Sequence, residues 1–235
     1  MKENKIYYRR NLPHYQPEGC TFFVTFRLTQ SLPLNVIVKL INEKKLELKR
    51  INNIKSKILK KQKYYEFQQK YFEIFDKYID TYKKGPSWLV KDEVASIVKE
   101  AIHYRDGKDY KLIAYTIMPN HVHMIFTPII KSRINENSDL SRTQNEQIDN
   151  ARRSVRVYIV TKILQELKRF TALKCNKILN RHGAFWHHES YDHVIRNIDE
   201  LRRIVNYILQ NPVKANLIDD CDKWKWNYYN PNYLL

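Results

Sequence analysis

The chain has 235 residues, of which 43% are hydrophobic and 29% charged, with a mean hydropathy of −0.63. That describes one domain, or two small ones, with a real core and a heavily solvated surface. Lys and Arg outnumber Asp and Glu by 42 to 25, a net charge of +17. Such an excess favours a polyanion partner and salt-sensitive binding, because Lys and Arg release condensed counterions from phosphates, and it fits equally a soluble protein built from Lys-, Asn- and Ile-rich codons. The opening MKENKIYYRRNLPHYQ lacks the apolar core of a signal peptide, and no apolar run reaches membrane-spanning length. Cys20, Cys175 and Cys221 are odd in number and share no metal-ligand spacing. Reduced thiols and a cytoplasmic location with no membrane partner are expected.

TFFVTFRL (Thr21 to Leu28) alternates β-branched and aromatic residues between Gly19 and Pro33 and reads as a strand. From Asn35 to about Lys84 the pattern is helical and strongly basic, with Ile, Leu, Tyr and Phe at spacings of three and four. This predicts a Lys-rich helical hairpin over 35–84, stopped by Gly85-Pro86. A shorter amphipathic helix runs from about Asp92, a candidate N-cap, to Tyr104. GKDYKLIAYTI and HVHMIFTPI then read as two strands around the turn Met118-Pro119-Asn120. Residues 131–153 are polar and aperiodic, a loop expected to be flexible. Tyr158 to Leu179 is helical, with Ile159, Ile163, Leu167 and Phe170 on its apolar side and Gly183 as its stop. FWHHESYDHVI is a strand, and Asp199 to Gln210 a final helix closed by Pro212. The first six elements follow the ferredoxin-like βαββαβ plan, an α+β antiparallel sheet with helices on one face. That fold serves many functions, so the site must carry the functional argument.

In PNHVHMIF, strand alternation points His121 and His123 to one face and Val122 to the other. Two imidazoles so placed can hold one metal ion, or form an ordinary hydrogen-bonded pair. On the last helix Leu201, Ile204, Val205 and Ile208 form the buried stripe, with Tyr207 and Asn211 together on its flank, four residues apart. A phenol there can be half-buried and still reach a substrate, or be an ordinary boundary tyrosine. Tyr191, beside His187, His188 and His193, is the rival nucleophile, although its strand position before Asp192 and Arg196 suits DNA binding or scaffold. His182, His187, His188 and His193 lack the paired spacing of a zinc site. Arg9, Arg10, Arg27, Lys168, Arg169, Arg196, Arg202, Arg203 and Lys214 are candidate phosphate contacts. The Lys-rich stretch 39–63 is either a solvated face or an extension of that footprint. Trp186, Trp224 and Trp226 can stack bases or fill the core.

Histidine–hydrophobic–histidine on a central strand, with tyrosine on a later helix, is the HUH arrangement of single-tyrosine DNA nucleases. The strings IMPNHVHMIF, LKRFTALKCNKIL, FWHHESYDHVIR and VNYILQNPVKANL together resemble the REP-associated tyrosine transposases, relatives of the single-tyrosine insertion-sequence transposases. The resemblance runs from TFFVTFRL to the C-terminal Trp-rich segment and is interrupted by the hairpin and by 131–153. It implies one HUH domain over 1–235, acting on single-stranded or hairpin DNA as a monomer or homodimer. His121 and His123 would bind a divalent cation, Mg²⁺ or Mn²⁺. Tyr207 would be the nucleophile, and Asn211, where insertion-sequence relatives commonly have Gln, would complete or support the metal site. Tyr191, His193 and Trp186 would join the DNA contacts. Two imidazoles and an amide carry no negative charge, so metal affinity would depend on the DNA phosphate, and the same ligands would accept Zn²⁺. Attack by Tyr207 would leave a 5′-phosphotyrosine and a free 3′-OH able to reverse the step. Two other readings stay open: a DNA-binding protein without catalysis, and a metal-dependent nuclease that uses water.

Overall fold

The computed structural model describes residues 7–9, 13–15, 17, 19–82, 84–130 and 159–233. Arg10 and the 131–153 segment lie outside them, and of Arg9 only the backbone is described. A two-stranded ribbon, β1 (Tyr7–Arg9) and β2 (Pro13–Tyr15), precedes the main sheet. The sheet contains β3 (Thr21–Leu28), β4 (Tyr110–Ile117), β5 (His121–Pro128), β6 (Trp186–Ile195) and β7 (Asn227–Tyr229). Its order is β6-β3-β5-β4-β7 with every neighbouring pair antiparallel. The first four of these are the ferredoxin-like arrangement. β7, from the Trp-rich segment, adds an edge strand that too few alternating residues announce.

Helices cover both faces of the sheet, where the βαββαβ plan alone leads one to expect one. Phe22, Val24, Phe26, Val122, Met124 and Phe126 point to the face packed by α3 (Asp92–Arg105) and α4 (Ile159–Ile178). Each such side chain contributes on the order of 1.5–3 kcal/mol by leaving water. On the other face Phe23, Ile113, Ala114, Ile125 and Ile195 meet Leu201, Val205 and Ile208 of α5 (Ile198–Leu209) and Phe72 of α2 (Lys57–Thr81). The second layer therefore comes from the C-terminal helix and from the basic hairpin formed by α1 (Leu34–Asn52) and α2. Gly85 lets the hairpin's exit pass the β3–α1 turn, where a Cβ would sit 3.1 Å from the Gln30 carbonyl oxygen.

Local chemistry shifts three expected boundaries. Lys91 is the N-cap of α3, and Asp92 and Glu93 lie in its first turn, where carboxylates complement the helix dipole. α4 ends at Ile178, and beyond it the left-handed Asn180 (φ 47°) and the Arg181 N–H bond to the Asn176 carbonyl, 3.0 Å, close the last turn before Gly183. Pro212 does not end the helical path. It sits near the start of a one-turn helix α6 (Asn211–Lys214), where a missing N–H costs little.

The hairpin is fastened to α5 and β6 through Glu200. The Asn197 side chain caps α5 by accepting the Glu200 N–H at 2.8 Å. The Glu200 carboxylate in turn accepts from Tyr65 of α2 (2.6 Å), from the Arg196 amide (2.9 Å), and pairs with His193 Nε2 (2.8 Å). Burial pushes this carboxyl up, but the His193, Tyr65 and Arg196 contacts outweigh it and hold it at about 2, below the usual 4.5. A depressed carboxylate stabilises the fold above its unfolded value and loses that contribution as pH falls through its folded one. Glu200→Gln should therefore cost about 1–3 kcal/mol at pH 7 in urea unfolding. The deficit relative to wild type should shrink as pH falls from 4.5 towards 2.

Candidate active site

The register of the central strands assembles one face. His121 lies opposite Arg27, and His123 lies opposite Thr25 on β3 and Thr116 on β4, while Thr25 in turn faces Tyr191 on β6. Directly opposed residues share a face, so these side chains all point to the layer formed by α2 and α5. Both histidines are buried, and their Nε2 atoms are 3.0 Å apart.

Each ring is oriented from behind. His121 Nδ1 is 2.7 Å from Asn120 Oδ1, while the Asn120 amide donates to the Ile79 carbonyl of α2 at 2.9 Å. A carbonyl oxygen only accepts, so His121 carries its proton on Nδ1 and presents the Nε2 lone pair to the site. His123 Nδ1 is held by Thr25 Oγ1 at 2.7 Å. Burial, then the neighbouring His123, pushes His121 well below its usual value, which keeps the ring neutral as a metal ligand must be.

Tyr207 stands beside this pair within a single chain, its ring centroid 6.2 Å from that of His123 and 5.8 Å from that of Phe72. Its hydroxyl donates to Asp76 Oδ2 of α2. Asn211 is fully buried and its amide donates, at 3.4 Å each, to Asp76 Oδ2 and Asp80 Oδ2. Asp76 Oδ1 lies 3.2 Å from His123 Nε2, and Asp80 Oδ1 lies 3.8 Å from His121 Nε2. Asp76 is 1% exposed. Burial, then the Asp76 charge, pushes Asp80 up to about 7.

This overturns the expectation of a donor set without negative charge: the basic hairpin delivers two carboxylates into it. Sequence reasoning missed Asp76 and Asp80 because the hairpin reads as an insertion. The available signal was their i, i+4 spacing on the Phe72–Ile79 stripe, where an acid is out of place. Asn120 was read only as a turn former.

A cation fits these residues. Asp76 Oδ1, Asp80 Oδ1 and Asn211 Oδ1 are buried without a hydrogen-bond partner, a costly state that a bound cation would relieve. The ligating atoms of Asp76, His121 and His123 lie within 4.8 Å of one another. Imidazole and carboxylate donors suit a borderline divalent ion such as Mn²⁺, and the carboxylate oxygen also makes Mg²⁺ reasonable. Among the described residues the other such group is Asp220, Cys221 and Asp222, so the four later histidines form no metal group of this kind.

The candidate DNA contacts divide. Tyr191 packs on Phe72 at 4.7 Å beside the site. Arg27 is buried on the site face and bonds Ser31 Oγ at 3.1 Å. Lys214 holds its ammonium 4.5 Å from the Tyr207 ring. Arg196, Arg202 and Arg203 are exposed, and Arg196 lies over the Tyr65 ring at 3.9 Å. His193 is committed to Glu200. Lys168 donates to the His187 carbonyl at 2.8 Å across the sheet's other layer, and Arg169 is exposed on that same helix. Trp186 is corrected to a core residue: buried against Phe26, it donates to Thr171 Oγ1 at 2.8 Å and cannot stack a base. Trp226 is buried too, and Trp224 donates to the Ile117 carbonyl.

No family model matches the chain. It is similar to a putative REP-associated tyrosine transposase of Haemophilus influenzae, 24% identical over 122 residues. That match spans 52% of this chain and 60% of the relative's length. A solved structure of a REP-associated tyrosine transposase bound to a REP hairpin aligns over 97% of this chain and 82% of its own, at 17% identity and a TM-score of 0.43. Among the described residues, no helix is long and apolar enough to cross a membrane.

Asp76→Asn separates the metal role from a structural one. Without metal the variant should melt no lower than wild type, since it removes the buried one of two adjacent acids. Calorimetric titration with Mn²⁺, without DNA, should show affinity weakened by about ten-fold or more. Unchanged affinity would remove Asp76 from the ligand set.

Proposed function

We propose that the chain is a member of the REP-associated tyrosine transposases and cleaves and rejoins single-stranded DNA beside a hairpin. The observation that carries this reading is Tyr207 next to His123, its hydroxyl on Asp76, within one chain. The named relative and the resemblance of the four motif strings support it.

His121, His123 and Asp76, with Asn211 adjoining, would hold a divalent cation. When bound, such an ion draws charge from the non-bridging oxygens of a phosphodiester and fixes it for in-line attack. The chain's own groups do the remainder. Asp76 accepts the phenol hydrogen, which directs the Tyr207 oxygen and provides a place for its proton, since a free phenol with a pKa near 10 is a weak nucleophile. The Tyr207 oxygen forms a bond to phosphorus, the P–O3′ bond breaks, and the 3′ oxygen leaves, taking a proton from solvent. The 5′-phosphotyrosine keeps the energy of the broken bond, so a 3′-OH can reverse the step without ATP. Lys214, above the Tyr207 ring, adds positive charge where the phosphate must sit. Nucleophile and histidines stand together within one chain, which supports a site composed in cis.

The test is covalent trapping. Wild type, a single-stranded flank joined to a DNA hairpin, and Mn²⁺ should give a denaturation-resistant adduct. Tyr207→Phe should abolish it, and Tyr191→Phe should retain it. An adduct that survives Tyr207→Phe, or cleavage without any protein–DNA link, would contradict the reading.

A further inference from the structure

Asp76 and Asp80 enter the site from one helix but meet solvent differently. The Asp76 side chain is 1% exposed and that of Asp80 17%, so Asp80 stands on the more open side of the group. There it is joined by Lys214, which is exposed, holds its ammonium 4.5 Å from the Tyr207 ring and acts on the Asp80 carboxylate. The Asn211 amide bridges the acids, donating at 3.4 Å to Asp76 Oδ2 and at 3.4 Å to Asp80 Oδ2. A carboxylate only accepts, so the amide must turn its hydrogens to the acids. The Tyr207 hydroxyl donates to that same Asp76 oxygen. One amide nitrogen therefore separates Asp80 from the oxygen that holds the nucleophile.

A phosphodiester attacked by Tyr207 must come to that place, and it brings a negative charge. With both imidazoles neutral, as ligands must be, the two carboxylates outweigh the Lys214 ammonium. A divalent cation reverses that balance. Like charges a few ångströms apart in a partly buried site repel strongly, and salt screens them less than it does at the surface. The ligand atoms within 4.8 Å of one another belong to Asp76, His121 and His123. Asp80 is a charge beside that cluster, with its Oδ1 buried, without a hydrogen-bond partner, and 3.8 Å from His121 Nε2.

We propose that Asp80 makes entry of the scissile phosphate conditional on the cation: its charge keeps the single-stranded flank from Tyr207 until a divalent ion is bound beside it. This rests on the reading that Tyr207 attacks such DNA. The order is the reverse of the one that a donor set without negative charge implies, in which the phosphate helps to recruit the metal. Here the cation comes first and the phosphate second. Asp76 is the lesser candidate for this role, because it is committed to His123, to the Tyr207 hydroxyl and to the cation itself. Lys214 opposes Asp80 at the same opening, so the bound ion tips a near balance.

The experiment is anisotropy of a labelled DNA hairpin, with and without a single-stranded flank, at a pH one unit above the value of about 7 to which Asp80 is raised. Every protein carries Tyr207→Phe, so that no adduct forms. In EDTA the flank should add nothing to hairpin affinity, and in Mn²⁺ it should add on the order of ten-fold or more. Asp80→Asn, close in shape and checked by thermal melting, should gain flank affinity already in EDTA. A neutral methylphosphonate stepped along the flank reads the same repulsion from the DNA side, whatever the fate of that variant. At one position it should restore affinity in EDTA. Flank affinity indifferent to Mn²⁺, a flat methylphosphonate scan, or a folded Asp80→Asn without the gain in EDTA would overturn the proposal. Covalent trapping with wild type separates the two readings. If no adduct forms while Asp80→Asn still relaxes the need for the cation, the role of Asp80 stands and the catalytic reading fails. If the adduct forms and the flank ignores the cation, only the role of Asp80 falls.

Discussion

Asp76 occupies a position that the pattern of α2 reserves for an apolar side chain. It lies on the stripe of Phe72 and Ile79, turned towards His123, with almost no solvent contact. A buried carboxylate costs several kcal/mol unless donors or a cation compensate it. Here the Tyr207 hydroxyl and the Asn211 amide contribute, and one oxygen is left without a hydrogen bond. Two links from its helix hold that carboxylate over the histidines. Asn120 ties the His121 turn to the Ile79 carbonyl, and Tyr65 ties the same helix to Glu200 at the start of α5. Those two links set where α2 runs over the sheet, and therefore how the phenol meets the histidines.

Much of the sheet was legible, for a plain reason. Its strands alternate strongly, and HVHMIF places both histidines on one face by strand geometry alone. Tyr207 and Asn211 were legible because the Leu201–Val205–Ile208 stripe fixes the rotation of α5. The hairpin was legible as two helices but not as a part of the site. Periodicity reports which face of a helix is buried and is silent on what lies opposite. Asp76 and Asp80 look like surface acids until tertiary packing places them. β7 was missed because three residues carry too little pattern, and Trp186 was misassigned because one strand residue's face depends on the register of its neighbours.

The charge of the molecule sorts along the same lines. Arg202, Arg203 and Lys214, on and after α5, are exposed and suited to phosphates, and Lys214 lies over the Tyr207 ring. Lys168 instead spends its ammonium on the backbone carbonyls that open β6. Net charge alone does not distinguish these roles. The hairpin combines both signs, a basic outer surface and an acidic pair at the histidines, as expected of an element that would approach DNA while holding a cation.

The central claim is that a carboxylate from the hairpin and the two strand histidines form one cation site in a single chain. Anomalous diffraction from crystals of the DNA-free protein soaked in Mn²⁺ tests it directly. The account predicts a manganese peak bonded to His121 Nε2, His123 Nε2 and an Asp76 oxygen of the same chain. A peak that leaves Asp76 uncoordinated, or no peak between the histidines at saturating Mn²⁺, would contradict it.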